Sequence, residues 1–147
     1  MGDIDETNAT IGLVIARLIA EGIEAHFLQY LQHRLFDLGG EVSIPGTAII
    51  SSGHVSAIES ELDKMNTHLE PLDNFILPGG SETLALIHLA RSQCRRAERS
   101  LVQLQQAEPL NPAATQFLNR LSDYLFVLAR WTAKQHNIQE VLWQRDV

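Results

Sequence analysis

The sequence predicts an all-α protein, a bundle of five helices. Three observations carry this prediction. Apolar residues recur at three- and four-residue spacing along most of the chain. Proline and glycine cluster in a few short stretches that separate those periodic segments. No run alternates between apolar and polar as a half-buried strand would, and no internal repeat or low-complexity tract breaks the pattern. With 147 residues, 45% of them hydrophobic and 20% charged, the chain reads as one domain spanning residues 1–147. That length buries a sizeable core without disulfide or metal staples.

Ile4, Ile11, Val14, Ile15, Leu18 and Ile19 fall on one face of a first helix, which Gly22 weakens or ends. Ile23, Phe27, Leu31, Leu35 and Leu38 give a second helix, which Gly39-Gly40 is expected to stop. Residues 40–53 contain Pro45-Gly46 and Ser51-Ser52-Gly53 and read as a loop. Val55, Ile58, Leu62, Met65 and Leu69 mark a third helix, with Ser52 as its expected N-cap. Pro71 and Pro78-Gly79-Gly80 make the stretch from Glu70 to Gly80 a second irregular connection. A fourth helix is predicted from about Ser81 to Gln106. A fifth opens at Asn111-Pro112, an N-cap followed by proline at the first helical position, and runs to about Lys134. At about 25 residues and 1.5 Å per residue these last two reach roughly 37 Å, so they form the long walls of the bundle.

The net charge of −7 argues against general nucleic-acid binding. The charge is uneven. Residues 1–75 carry 3 basic and 12 acidic groups, whereas residues 76–147 carry 8 and 6, which places any anion site in the second half. Cys94 is the single cysteine, so no intramolecular disulfide forms and nothing points to an oxidising compartment. The apolar stretch Ile11 to Ala20 is interrupted by Arg17 and is far too short to span a bilayer. Asp3, Asp5 and Glu6 precede it, the wrong charge for a secretory signal or presequence. The expected location is cytoplasmic, with no membrane partner.

The residues that carry chemistry lie on the fourth helix. At about 100° per residue, Leu86, Ile87, Ala90, Cys94, Ala97, Leu101 and Leu104 make a core stripe. His88, Arg91, Arg95, Glu98 and Arg99 fall on the opposite face, and Arg96 lies to one side. Arginines at i, i+4 and i+8 repel one another unless an anion or an acid sits among them. One reading is a solvated face with Glu98 as the internal partner. The other is a polyphosphate cradle, because guanidinium forks match phosphate oxygens bidentately. On the fifth helix Asn119, Asp123, Phe126 and Arg130 share a stripe. That stripe would complete a basic groove if it faced the arginines, or would serve only surface pairing, for instance Asp123 with an arginine of the fourth helix.

Several chemistries are excluded. Neither G-x-x-x-x-G-K-[ST] nor G-x-G-x-x-G occurs. Glu-x-x-His, the di-iron bundle motif, is missing, and one cysteine cannot build a cysteine-based zinc site. Of the six histidines, His26 and His33 share a helix face but lack a third ligand, so no protein-held metal site is expected.

Phe75-Ile76-Leu77-Pro78-Gly79-Gly80, His88-Leu89-Ala90-Arg91, Cys94-Arg95-Arg96-Ala97-Glu98-Arg99 and the run from Asn119 to Arg130 follow one another in order. Together they closely resemble the PduO-type ATP:cob(I)alamin adenosyltransferases. Gly2-Asp3-Ile4-Asp5-Glu6-Thr7-Asn8 resembles that family's opening helix, with Thr7 where leucine is usual, and Leu35-Phe36-Asp37-Leu38-Gly39-Gly40-Glu41 fits as well. The resemblance covers essentially the whole chain.

The resemblance implies a homotrimer of five-helix bundles with active sites between subunits. It implies transfer of the 5′-deoxyadenosyl group of ATP to cob(I)alamin, with Mg²⁺ on the nucleotide, triphosphate as leaving group and a cobalamin reductase as partner. By motif position, Arg95, Arg96, Glu98, Arg99 and Asn119 are implied ATP contacts. Phe75, His88 and Arg91 are implied cobalamin contacts. Arg95, Arg91 and Phe75 are the implied catalytic set, and Asp5 is the implied partner of Arg91 across a subunit boundary. The family pattern also has a Thr/Gly-rich segment with a lysine ahead of the opening helix, whereas this sequence starts at Met1-Gly2-Asp3. Without that segment adenosyl transfer is expected to be slow or absent. The competing expectation is a non-catalytic helical oligomer that binds ATP or cobalamin.

Overall fold

The structure is a computed structural model that describes residues 2–44 and 46–146. It contains α1 (Gly2–Ala20), α2 (His26–Ser43), α3 (Ser52–Asn66), α4 (Glu82–Ala107) and α5 (Pro112–Gln135). The long helices α4 and α5 pack on each other. Helix α1 lies on α4 and carries α2, while α3 lies on α5. One core runs through all five, with Ile11, Leu31, Ile58, Ile87, Phe117 and Leu121 fully buried. Among the described residues no helix is long and apolar enough to cross a membrane.

The helix ends follow local chemistry. Helix α1 stops where Gly22 takes φ 78° and Ile23 N–H donates to Leu18 O at 2.8 Å. Ser81 caps α4 by accepting from Leu84 N–H at 3.1 Å. Asn111 caps α5 ahead of Pro112. The cap of α3 is Ser51, one residue before the expected Ser52. It wins because His54 completes a capping box, its Nδ1 accepting from Ser51 N–H at 3.0 Å. Leu69 lies beyond α3, and Ile19 is 63% exposed rather than in the core stripe.

The larger correction concerns Gly39-Gly40, which α2 passes through to reach Ser43. Two helical glycines cost about 1 kcal/mol each. That cost is outweighed by Leu38 and Glu41, both buried on the core side of the same turn. The Glu41 carboxylate accepts from Ile49 N–H (2.7 Å), Ile50 N–H (2.8 Å) and Asn111 Nδ2–H (3.2 Å). It thereby ties the end of α2 to the 44–51 connection and to the start of α5.

A second tie joins the ends of the chain's irregular parts. Ile76 and Leu142 form an isolated antiparallel bridge, flanked by Trp143 N–H to Phe75 O (2.7 Å) and Leu77 N–H to Val141 O (2.8 Å). Gly80 needs its φ of 104° there, and a Cβ would lie 3.1 Å from Leu84 Cδ1 and 3.3 Å from Ile138 Cγ2.

Glu41→Ala strands two backbone donors and leaves the Asn111 amide with only its bond to Ile50 O. Each unsatisfied buried donor costs about 1–3 kcal/mol, so urea unfolding should show a loss of about 2–4 kcal/mol. A loss under about 0.5 kcal/mol, the scale of an ordinary surface substitution, would refute the anchoring role.

Candidate functional site

Helix α4 buries Ile87, Ala90, Cys94, Ala97 and Leu101. That register fixes which residues point away. Arg95 and Arg99 are exposed and Arg91 is half-buried. Among the described residues no carboxylate lies within ion-pair distance of these three. Glu98, the expected internal partner, instead accepts from Asn119 Nδ2–H of α5 at 3.0 Å. Arg96 differs from its neighbours. It pairs with Asp3 at 3.2 Å and with Glu6 on α1, so within the chain it is already neutralised. A hydrogen bond from Ser100 Oγ–H, at 2.7 Å, holds the Asp3 carboxyl below its ordinary range, and Arg96 adds to this. Asp5 is exposed and has no ion-pair partner among the described residues.

His88 was expected on the polar face, yet it is only 6% exposed. The structure covers it with the 76–80 loop and the C-terminal tail, which share a cavity of about 240 Å³ with it. Its Nδ1 accepts from Arg91 Nε–H at 3.3 Å, and its ring meets Phe126 edge-on with centroids 6.5 Å apart. Burial first, and the Arg91 guanidinium second, push its pKa down to about 4. Burial also lowers the pKa of Arg91, and Arg95 contributes in the same direction. This is the neutral imidazole, one nitrogen of which accepts from an arginine.

The α5 stripe does not open on one groove. Asn119 and Glu98 line a cavity of about 530 Å³ between α3, α4 and α5. Asp123 pairs with Arg120 one turn away at 3.6 Å rather than with an arginine of α4. Arg130 is buried, and it donates to Glu140 Oε2 at 3.1 Å and to Glu70 O at 2.8 Å. It clamps the loop after α3 to the tail after α5. Burial also pushes the Cys94 thiol up, and its S–H donates to Leu118 O at 3.2 Å, which makes it a packing residue rather than a nucleophile.

Phe75 stands 75% exposed on the clamped loop. Asn74 fixes it from both sides: Oδ1 accepts from Phe75 N–H and Nδ2–H donates to Trp143 O, each at 2.8 Å. Trp143, which the sequence reading did not single out, packs against Phe75 with ring centroids 6.2 Å apart. Its one sequence signal is the apolar triplet Val141-Leu142-Trp143 after a polar stretch. The structure therefore brings the Phe75 loop to His88, and His88 to Arg91. Arg95 and Arg99 continue the same α4 face. Among the described residues no cluster of three His, Cys, Asp or Glu side chains could hold a metal ion.

The depressed His88 pKa has a consequence for stability. An unfolded histidine takes up a proton below its ordinary value near 6.5, whereas the folded one resists until about 4. The unfolded state then binds more protons, so stability falls as pH drops through that window. Melting curves from pH 7 to pH 4.5 should fall more steeply for the native protein than for His88→Gln. Parallel curves would show that His88 is not held neutral.

The sequence pattern of the family described as Cobalamin adenosyltransferase matches residues 1–132. A cobalamin adenosyltransferase of Cupriavidus metallidurans is 48% identical over 147 residues, covering 99% of this chain and 79% of that protein. A corrinoid adenosyltransferase of Bacillus subtilis is 38% identical over 152 residues, covering 99% and 78%. A variant PduO-type ATP:corrinoid adenosyltransferase of Lactobacillus reuteri, solved with cobalamin and ATP, superposes with a TM-score of 0.85. It is 29% identical, with 98% of this chain and 83% of that one covered. The chain belongs to the cobalamin adenosyltransferase family.

Proposed function

We propose that the protein transfers the 5′-deoxyadenosyl group of ATP to cob(I)alamin, giving adenosylcobalamin and triphosphate. One observation carries this reading to the level of residues. Arg95 and Arg99 are left without counter-ions on the helix face that continues past Arg91 to His88 and the Phe75 loop. A polyanion and a large apolar ring system would meet along that face.

Cobalt is the nucleophile. It attacks C5′, the cobalt–carbon bond forms, and the C5′–oxygen bond breaks with its electron pair leaving on triphosphate. No protein nucleophile or general base is required, because the substrate carries the hard chemistry. The protein's work is alignment and charge stabilisation. In this reading Arg95 and Arg99 hold the triphosphate as negative charge develops on it. Asn119, Glu98 and Arg96 complete the nucleotide contacts, with Arg96 exchanging its α1 acids for phosphate. Phe75 presents an apolar wall to the corrin, excluding water and an axial ligand, and Arg91 and His88 sit beside it. Mg²⁺ would ride on the triphosphate. Among the described residues no cluster of carboxylates is placed to hold it.

A trimer belongs to the same reading. Asp5 and Arg91 lack acid–base partners within the described chain and would pair across subunits. Phe36, 73% exposed, offers apolar surface on α2 beside Asp5, and Leu13 is a further exposed apolar residue on α1. A cytoplasmic location and delivery of the reduced cobalamin by a reductase fit this chemistry. Residues 1–147 act as one domain in it.

Arg95→Ala tests the nucleotide role. A charge-assisted contact is worth about 1.5–3 kcal/mol, so ATP affinity should fall roughly 10- to 150-fold with helicity intact. Unchanged ATP affinity would favour a merely solvated arginine face. Sedimentation equilibrium should give about three times the 16.4 kDa chain mass. A monomer would remove the cross-subunit pair from the account.

A further inference from the structure

The arginine face poses an electrostatic question that its own residues do not answer. Glu98 is three residues after Arg95 and next to Arg99 on the same helix. The three-residue spacing brings Glu98 within reach of Arg95, and a like-charged row raises the gain from closing that pair, whereas the adjacent Arg99 does not face Glu98. Yet Glu98 Oε2 is bound to Asn119 Nδ2–H at 3.0 Å, and neither arginine has an acid partner among the described residues. Something holds Asn119 so that its amide hydrogens, not its carbonyl oxygen, face Glu98.

The amide is oriented by its neighbour. Arg120 Nη1–H donates to Asn119 Oδ1 at 2.8 Å, which commits that oxygen and turns Nδ2 toward Glu98. Arg120 is in turn held by α3, its Nε–H donating to Glu59 Oε2 at 2.9 Å. The hydrogen bond from Arg120 to Glu59 also strengthens the guanidinium's hold on its proton. Asp123 adds a weaker contact at 3.6 Å. Glu59, Arg120, Asn119 and Glu98 line the same 530 Å³ cavity, so the chain of bonds crosses from α3 through α5 to α4 without a gap.

We propose that Glu59 and Arg120 are positioning residues for the triphosphate site: through Asn119 they withhold Glu98 from Arg95, leaving that guanidinium unpaired and open to the anion. The inference rests on the nucleotide reading given above, and adds to it a role for α3, a helix that contributes none of the arginines. If Glu59 loses its charge, Arg120 is released and the Asn119 amide is free to turn. Glu98 then closes on Arg95 and competes with phosphate.

The test is calorimetric titration of the protein with MgATP and, separately, with inorganic triphosphate. The variants are Glu59→Gln, Glu98→Gln and the double variant, with Arg120→Met as a second way to cut the chain. Glu59→Gln should weaken both ligands about five- to twentyfold, the weight of one charge-assisted contact at a partly exposed site. Arg120→Met should do the same. In the Glu98→Gln background, Glu59→Gln should have no further effect on inorganic triphosphate, because the competing carboxylate is gone. A general loss of packing would lower affinity equally in both backgrounds, and that result overturns the proposal. So does a loss for MgATP with none for triphosphate, which would place Asn119 on the nucleoside instead. Native protein that bound neither ligand would refute the nucleotide reading itself, and this inference with it.

Discussion

Arg91, Arg95 and Arg99 stand about one helical turn apart on α4 with no carboxylate among the described residues to neutralise them. Three guanidiniums in a row are self-repelling, and an isolated helix carrying them would be weakened by each adjacent pair. The core face of α4 tolerates this. Ala90, Cys94 and Ala97 are small and buried, so α4 packs closely on its neighbours along the turns where the charges sit. The acids that could relieve the repulsion are occupied elsewhere. Glu98 is bound to Asn119, while Asp3 and Glu6 are bound to Arg96. Repulsion among charges spaced one turn apart on a packed helix is relieved when a polyanion binds. Electrostatic preorganisation takes this form when no protein group has to react.

The rest of the site depends on holding irregular backbone still beside that helix. The segment bearing Phe75 has little periodicity to stabilise it. It is fixed instead by Asn74, by the short ladder to the tail and by the buried Arg130 clamp between Glu70 and Glu140. An exposed aromatic ring that would otherwise favour collapse is thereby kept facing outward. The rigid wall and the charged row meet at His88. Its neutral imidazole accepts from Arg91 and closes the cavity beneath the loop.

Helix number, order and most boundaries were legible in the sequence, because apolar periodicity and caps such as Asn111-Pro112 are local signals. The errors fell where distant residues overrule local preference. Gly39-Gly40 looked like a stop, but Glu41 anchors the helix beyond it to residues 49, 50 and 111. The arginine row was legible from helical spacing. That it lacks a counter-ion was not, since Glu98 is claimed by a side chain from another helix. Arg130 and Trp143 were misjudged or missed for a related reason. Each takes part in a loop-to-tail contact distant in sequence: Arg130 binds Glu70, 60 residues away, and Trp143 binds Asn74, 69 residues away. A role for Phe75 was suggested only by family resemblance, because an exposed aromatic in a proline- and glycine-bounded loop carries no periodic signal.

The central claim is that one face of α4 binds ATP so that its C5′, and not a phosphorus atom, is the point of attack. The most direct measurement is the product balance of the protein incubated with ATP and chemically generated cob(I)alamin. The account predicts one intact triphosphate released for each adenosylcobalamin formed, with no ADP. ADP or free phosphate as the primary product, or ATP bound with no cobalt–carbon bond formed, would contradict it.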